Sequence, residues 1–304
     1  MSSEGCNIPT TPGAPSRPAG AAPPTARQHI ARHFRGRVPE HGTRAASYYW
    51  ERKRWLVLDL IASHLGELRA SAPAGKRPLL VDVGCGDGTD LFMTADYLNS
   101  AGPGWRFLGL DGLASALATA NERNATYGIK GVEIRPANIT RPLPLGDGSV
   151  DVLYCSEVLE HMPEPAGMLR EFARVLRAGG FCLITTPNEP NIFQRSWWSR
   201  SHYQSLLAKV NPVAYGQVEV NGEVIDLYGH ISLHTNREWD RMFAEHGMPR
   251  VDFRRGAAVY GNRPLYGTPV VHHARKLADW VLDLLPRNWS RSLSDQMIAL
   301  YRRT

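Results

Sequence analysis

The sequence predicts an α/β fold: a doubly wound, mostly parallel seven-stranded sheet with helical cap insertions. Three observations predict it. Leu79 to Asp90, LLVDVGCGDGTD, is a short apolar run that breaks into glycines and then into a helix-like segment. Strand-like and helix-like runs alternate from there to about residue 190. Acids stand where the first two strands end, Asp82 and Asp111.

Each element can be justified in order. Residues 1–28 are rich in Pro, Ala, Gly, Ser and Thr and cannot bury enough apolar area to offset the entropy of ordering, so disorder is expected there. Residues 29–70 form a basic segment and an N-terminal helix. Trp50, Trp55, Leu58, Ile61, Leu65 and Leu68 recur at helical spacing between Ser47 and Arg69. Tyr48, Tyr49 and Trp50 either cover a ligand site or dock that helix on the sheet. The main domain, 71–304, opens with Leu79, Leu80, Val81 and Val83, a strand buried on both faces. Gly84, Gly86 and Gly88 follow, where a Cβ would hinder the approach of a ligand. The helix from Thr89 to Leu98 adds free N–H groups and a positive dipole end, which suit an anionic group. A tight turn without a ligand is the plainer alternative. Neither common nucleotide loop fits: Thr89 replaces the third glycine of G-x-G-x-x-G, and no lysine follows for a G-x-x-x-x-G-K loop.

Trp105 to Leu110 is the second strand, ending in Asp111-Gly112, and Leu113 to Tyr127 a helix. An acid at the carboxyl end of that strand can accept the two hydroxyls of a ribose, and Asp111 stands 25 positions after Gly86. Capping of the next helix is the alternative role. Val132 to Ile134 and Val150 to Cys155 are the third and fourth strands. Ser156 leads into a helix ended by Met162-Pro163, Leu169 to Leu176 forms another, and Phe181 to Thr185 is the fifth strand. Val251 to Arg255 and Gln296 to Tyr301 complete the sheet. An insertion at 187–229 carries Trp197, Trp198, Tyr203 and Tyr215. A second, 256–293, includes an amphipathic segment from His272 to Leu285. Both are expected over the carboxyl ends of the strands.

The pattern Asp82-x-Gly84-x-Gly86-x-Gly88 resembles motif I of the class I S-adenosylmethionine (SAM)-dependent methyltransferases. Asp151 to His161, with SEVLEH at its end, then VLRAGG from Val175 to Gly180 and TPN from Thr186 to Asn188, resemble the middle motifs of the ubiquinone/menaquinone-biosynthesis type. The resemblance covers roughly residues 79–190. It extends more weakly to GHISLHT, Gly229 to Thr235, and the helix Asn236 to His246. It implies a Rossmann-like fold, SAM as cofactor and methyl transfer to a small-molecule acceptor, expected at oxygen. The implied cofactor-binding residues are Asp82, Gly84, Cys85, Gly86, Gly88, Asp111, Gly112, Asn138, Ile139 and Ser156, with Asn138 toward an adenine amino group and Ile139 against the ring. Many members carry an acid where Asn138 stands; an amide oxygen can also accept.

A hydroxyl acceptor calls for a general base. His161, just after the fourth strand, and His230 or His234 are the candidates, with Glu157 and Glu160 also near; for His161 a structural histidine bonding a loop carbonyl is the alternative. His230 and His234 stand four apart, but without a third ligand no metal is expected. No Asn-Pro-Pro-Tyr or Asp-Pro-Pro-Tyr follows the fourth strand, which disfavours methylation of base amino groups.

The chain has 304 residues and a net charge of +6 from 35 Lys+Arg and 29 Asp+Glu. Residues 1–54 hold nine of the basic residues and three acids, so the rest balances at 26 against 26. A basic tail can touch nucleic acid, though a solvated extension is the simpler reading, and a nucleic-acid partner is not expected. No run of eighteen apolar residues occurs, no charged segment followed by an apolar one opens the chain, and the four cysteines, Cys6, Cys85, Cys155 and Cys182, form no C-x-x-C pair. A cytoplasmic protein is expected. The 30 Arg against 5 Lys are compatible with a GC-rich bacterial genome and with secondary-metabolite, glycan or lipid tailoring. An RNA-modifying methyltransferase, a nicotinamide-dependent oxidoreductase and a non-catalytic scaffold of the same fold are the competing readings. The sequence leaves the oligomeric state open.

Overall fold

In the computed structural model, residues 44–102, 104–188, 214–257, 269–286, 294 and 296–304 are described. Strand β1 (Leu79–Val83) lies at the centre of the sheet, parallel to β2 (Arg106–Asp111) on one side and β4 (Val150–Ser156) on the other. Strand β3 (Val132–Pro136) flanks β2, and β5 (Leu176–Pro187) flanks β4, both parallel. Strands β8 (Arg250–Arg255) and β9 (Gln296–Arg302) close the far side antiparallel, giving the seven-stranded order β3-β2-β1-β4-β5-β9-β8. Strand order reverses between β1 and β4, and crevices for ligands open above such a reversal.

The apolar runs are buried because helices cover both faces. Leu80 packs with Leu58, Leu98, Trp105 and Leu183 on one side, while Val81 and Val83 pack with Phe172, Trp239 and Phe243 on the other. The first side is covered by α1 (Arg44–Ser63), α2 (Leu65–Ala70) and α3 (Thr89–Ala101). The second is covered by α5 (Pro165–Val175) and α6 (Asn236–Glu245). Helix α4 (Ala114–Tyr127) links β2 to β3 and buries Leu117 and Ala120.

Several boundaries differ from the expected ones. The N-terminal helix covers Arg44–Ser63, ahead of the expected Ser47, and is interrupted at His64. After Ser156 there is only a 3₁₀ turn, Leu159–His161, because Glu157 takes a left-handed φ of 56°. Helix α5 begins at Pro165, a residue whose fixed φ suits a first turn. Strand β5 begins at Leu176, with Val150 opposite Leu176 and Val152 opposite Phe181, so the glycine pair is taken up in a bulge.

The described part of the first insertion is a hairpin, β6 (Ala214–Val220) and β7 (Glu223–Tyr228), rather than helical. Asn221-Gly222 turns it, both with positive φ of 52° and 83°. An Asn-Gly pair is the favoured two-residue hairpin turn, a signal legible in the sequence. In the second insertion, α7 runs from Pro269 to Asp283. The expected tail disorder at 1–28, Cys6, Trp197, Trp198 and Tyr203 lie outside the described residues. Among the described residues no helix is long and apolar enough to cross a membrane.

Candidate functional site

A cleft of ≈ 260 Å³ opens where β1 and β4 end, lined among others by Trp50, Lys53, Asp82, Gly86, Asp90 and Ser156. Gly84 and Cys85 continue β1 by donating their N–H groups to Leu110 O at 2.8 and 3.1 Å. At Gly84 the backbone has φ +78°, and a Cβ would lie 2.4 Å from Val158 Cγ2. At Gly86, with φ +54°, a Cβ would meet nothing within 4 Å. Gly84 is therefore required by packing, whereas Gly86 leaves open space facing the cleft. Gly88 caps α3. Cys85 is buried, and burial pushes its thiol up from the usual range, so it acts as a filler.

Asp82 is fully buried at the end of β1, and its Oδ1 has no hydrogen-bond partner. Burial, reinforced by the negative charge of Asp90, pushes its carboxyl well above the usual range. Asp111 is not the N-cap of α4, which is Leu113, but both of its carboxylate oxygens are engaged. Its Oδ2 accepts from Gly86 N and its Oδ1 from Leu113 N, both at 2.8 Å, tying the glycine loop to the start of α4. Each carboxylate oxygen keeps a second lone pair for a ligand hydroxyl. Gly112 lies against Val220 of the β6–β7 hairpin.

Asn138 and Ile139 are not in this cleft. The Asn138 amide donates to Glu223 Oε2 of the hairpin at 2.7 Å, and its oxygen accepts from Thr140 N and Oγ1 at 3.0 and 2.7 Å. Ile139 lines a separate cleft of ≈ 350 Å³ with Leu143, Met162 and Met168. The hairpin claims the amide expected to face an adenine, because Glu223 brings a carboxylate within reach of both Asn138 and Arg141.

Sequence reasoning missed the cations of this site. Lys53 and Arg54 of α1 reach Asp90 in the first turn of α3, at 2.6 and 2.8 Å. Lys53 Nζ also donates to Ser156 Oγ at 2.8 Å and stands 4.8 Å from the centre of the Trp50 ring. Burial opposes ionisation of Asp90, but Lys53 and Arg54 outweigh it and hold the carboxyl well below the usual carboxylate range. Ser156 passes the network on to Thr185 Oγ1 at 2.9 Å, and Thr185 donates to Glu157 at 2.7 Å. Glu157 also accepts from Gln296 at 2.7 Å. These bonds hold the left-handed backbone of Glu157 at the rim of the cleft, a conformation that costs of order 1–3 kcal/mol. Only the sequence Trp50-Glu-Arg-Lys-Arg-Trp55 hinted at them, and it reads as a solvated helix face.

Beyond the network lies a second group. Glu160, His161 and His230 offer donor atoms within 4.8 Å of one another. Glu160 is fully buried; its Oε2 accepts from Thr186 Oγ1 at 3.0 Å, and its Oε1 has no partner. Burial, with the charge of Glu157 added, pushes this carboxyl well above the usual range. His161 Nδ1 is 2.9 Å from Tyr228 O, so Nδ1 carries the proton and Nε2 presents a lone pair. The His161 and His230 rings are 5.0 Å apart and edge-on. His230 reaches solvent, yet surrounding protein and the neighbouring His161 lower its pKa to about 4. His234 points elsewhere, edge-on to Trp239 at 4.9 Å. The loop bearing His230 is fixed by Ile231 N and Ser232 N, which donate to Glu160 O at 2.8 and 2.9 Å, and by the Thr235–Glu238 capping box of α6. The third donor missing from the His230–His234 pair is thus supplied to His230 by Glu160 and His161. This set can accept a proton or hold a divalent cation.

A family profile described as a methyltransferase domain matches residues 78–247. The chain is 33% identical over 144 residues to a protein of Mycolicibacterium smegmatis named "Probable S-adenosylmethionine-dependent methyltransferase", covering 47% of this chain and 48% of that one. It is 36% identical over 139 residues to the ubiquinone biosynthesis O-methyltransferase of Marinobacter nauticus, covering 45% and 55%. The chain spans about half the length of these curated relatives. The structure of the citrinin polyketide synthase CMeT domain superposes with a TM-score of 0.50 at 14% identity, covering 84% of this chain and 52% of that one, which supports the fold alone.

Proposed function

The chain belongs to the SAM-dependent methyltransferases of class I, and from that premise we propose that it methylates a hydroxyl group of a small-molecule acceptor, with His161 as the proton acceptor. The site suits the cofactor of this family. The unpartnered Asp82 Oδ1 can receive an ammonium group, Gly86 leaves the backbone approachable, and Asp111 has lone pairs for ribose hydroxyls. Asn138 and Ile139 would join only if the hairpin contact to Glu223 gave way. SAM supplies a methyl group made electrophilic by a sulfonium, so the chain's own task is to orient the nucleophile, exclude water and take up a proton.

The observation that carries the proposal is the orientation of His161. With Nδ1–H held by Tyr228 O, Nε2 can take the hydroxyl proton as the oxygen–carbon bond forms. The resulting imidazolium lies 3.9 Å from Glu160 Oε1, a carboxyl oxygen with no other partner. Oxygen as the methylated atom is supported by the O-methyltransferase named among the relatives. His161→Ala is expected to lower kcat by about 10²–10⁴-fold while SAM binding by calorimetry changes less than about twofold. Unchanged kcat in His161→Ala would refute the role. Loss of wild-type activity on chelation, restored by a divalent cation, would move the same three residues to metal binding instead.

A further inference from the structure

The β6–β7 hairpin stands apart from the rest of the fold. Its two strands pair only with each other, as a sheet separate from the seven-stranded one. Among its described side chains Val220 alone is buried, while Glu219, Glu223, Val224 and Asp226 face solvent. An element with so little buried apolar surface opens at small cost. The tip and the base are held differently. At the tip, Val220 Cγ2 lies 2.9 Å from where a Gly112 Cβ would stand, and Glu223 accepts from Asn138 Nδ2 at 2.7 Å and from Arg141 Nε at 3.2 Å. Arg141 and Glu223 are both exposed, so their pairing holds the tip weakly. At the base, Tyr228 O accepts from His161 Nδ1 at 2.9 Å, and the chain runs on into Ile231 and Ser232, whose N–H groups donate to Glu160 O at 2.8 and 2.9 Å.

We propose that the hairpin tip, Val220 to Glu223, is a gate on the nucleoside half of the cofactor site, which swings on the hairpin base to admit SAM; the inference rests on the cofactor site proposed above. Strands β2 and β3 end side by side, with Asp111 in register with Pro136 and Asp111 O accepting from Ala137 N at 2.8 Å. Asp111 thus stands between the open cleft, at the ends of β1 and β4, and the covered ends of β2 and β3. A ligand that reaches from the cleft past Asp111 comes up against Val220 over Gly112 and Glu223 on Asn138. The tip therefore competes for the same ground as the cofactor base. Displacing it breaks one apolar contact and two exposed polar bonds. Tyr228 stays in place meanwhile and keeps the tautomer of His161, so the gate opens without disturbing the proton acceptor. The apparent affinity for SAM is the intrinsic one reduced by the fraction of molecules whose gate is open.

The test locks the gate and then unlatches it. Gly112→Cys/Val220→Cys, in a Cys6→Ser background, ties the tip down by a disulfide. Val220 Cγ2 is 2.9 Å from the Gly112 Cβ position and one bond from Val220 Cβ, so the two Cβ positions fall within the about 4.5 Å that a disulfide spans. Mass spectrometry verifies the bond, thermal melting confirms that both redox forms are folded, and the reduced form controls for the substitutions. Calorimetry measures SAM binding to both forms, and stopped flow measures its association with Glu223→Ala. The oxidised form is expected to bind SAM at least about tenfold more weakly than the reduced form, and Glu223→Ala to bind it at least about twofold faster than wild type. Equal affinities of the two redox forms overturn the gate, as does a Glu223→Ala variant that binds SAM no faster than wild type; that rate decides alone if the reduced form does not bind. A folded wild type that binds no SAM refutes the cofactor site itself, and the gate with it.

Discussion

Gly84→Ala and Gly86→Ala add the same methyl group two residues apart in one loop, and the geometry predicts opposite failures. Both glycines have positive φ, so each alanine costs about 1–2 kcal/mol of backbone strain. At Gly84 the new Cβ would also lie 2.4 Å from Val158 Cγ2. Val158 is almost buried and β-branched, so it cannot swing aside, and overpacking adds about 1–3 kcal/mol. The sum is about 2–5 kcal/mol, and at about 2–4 °C per kcal/mol for a domain of this size the melting temperature should drop by about 4–20 °C. At Gly86 only the strain applies, a drop of about 2–8 °C, but the methyl enters the space facing the cleft. SAM affinity should then fall at least about tenfold, or ~1.4 kcal/mol. Differential scanning fluorimetry and calorimetric titration with SAM on both variants decide it. Wild-type SAM affinity in a folded Gly86→Ala would refute the placement of the cofactor at this loop. Equal melting temperatures for the two would refute the packing argument.

Three further outcomes follow from the charged groups. Asp90→Asn leaves Lys53 and Arg54 buried without their carboxylate, and chemical denaturation should show a loss of about 3–5 kcal/mol; a loss below 1 kcal/mol would mean that the pair is open to water. Because its folded pKa is depressed, the stability Asp90 contributes is present above its unfolded pKa of about 3.9 and is lost as pH falls below it, so the gap between wild type and Asp90→Asn should close in melts toward pH 2. Glu160 has the opposite sign: its raised folded pKa makes burial costly once the unfolded state ionises above about pH 4.3. Glu160→Gln should therefore melt higher than wild type at pH 7.5 and show no gain at pH 4, and a gain equal at both pH values would refute the assignment.

The sheet and its loop were legible because they rest on local pattern. Val81 and Val83 alternate with Asp82 and then break into glycines, and that short stretch alone specifies a strand that ends in a tight turn. The position of Asp111 was legible for the same reason, since it ends a strand paired residue by residue with β1. What stayed hidden depends on partners far along the chain. Lys53 and Asp90 are 37 residues apart, and Asn138 and Glu223 are 85 apart. No periodicity announces such pairs. His161 and His230 were both singled out, but their convergence depends on Ile231 and Ser232 bonding Glu160 O, which only the fold shows. One reading from pattern went astray because a single backbone setting overruled it: Glu157 stops the expected helix; and the first insertion, expected as part of a helical cap, is in its described part a hairpin turned by Asn221-Gly222.

Helix α1 carries two sets of buried ion pairs, and their placement explains more than their energy does. Arg52 faces α7 through Asp279 and Asp283, while the next two residues, Lys53 and Arg54, face the cleft at the ends of β1 and β4 through Asp90. Buried pairs give little net stability compared with apolar residues of the same size, because desolvation offsets most of the attraction. Apolar contacts could hold α1 against the sheet by themselves, as Leu58 and Ile61 already do. What the ion pairs add is direction, since a carboxylate accepts a guanidinium in few geometries. They fix the rotation of α1, and with it the positions of Trp50 and Lys53 at the cleft and of Tyr48 at α7. A rotation of one residue, about 100°, would break both sets together. Helix α7 and the cleft at the ends of β1 and β4 are thus joined by one rigid helix, over the five-residue step from Tyr48 to Lys53, about 7.5 Å of rise. That coupling requires Arg52→Met, although distant from Ser156 and Asp82, to weaken SAM binding as well as the α7 contact. A variant that loses only the latter would show that α1 holds its rotation without Arg52.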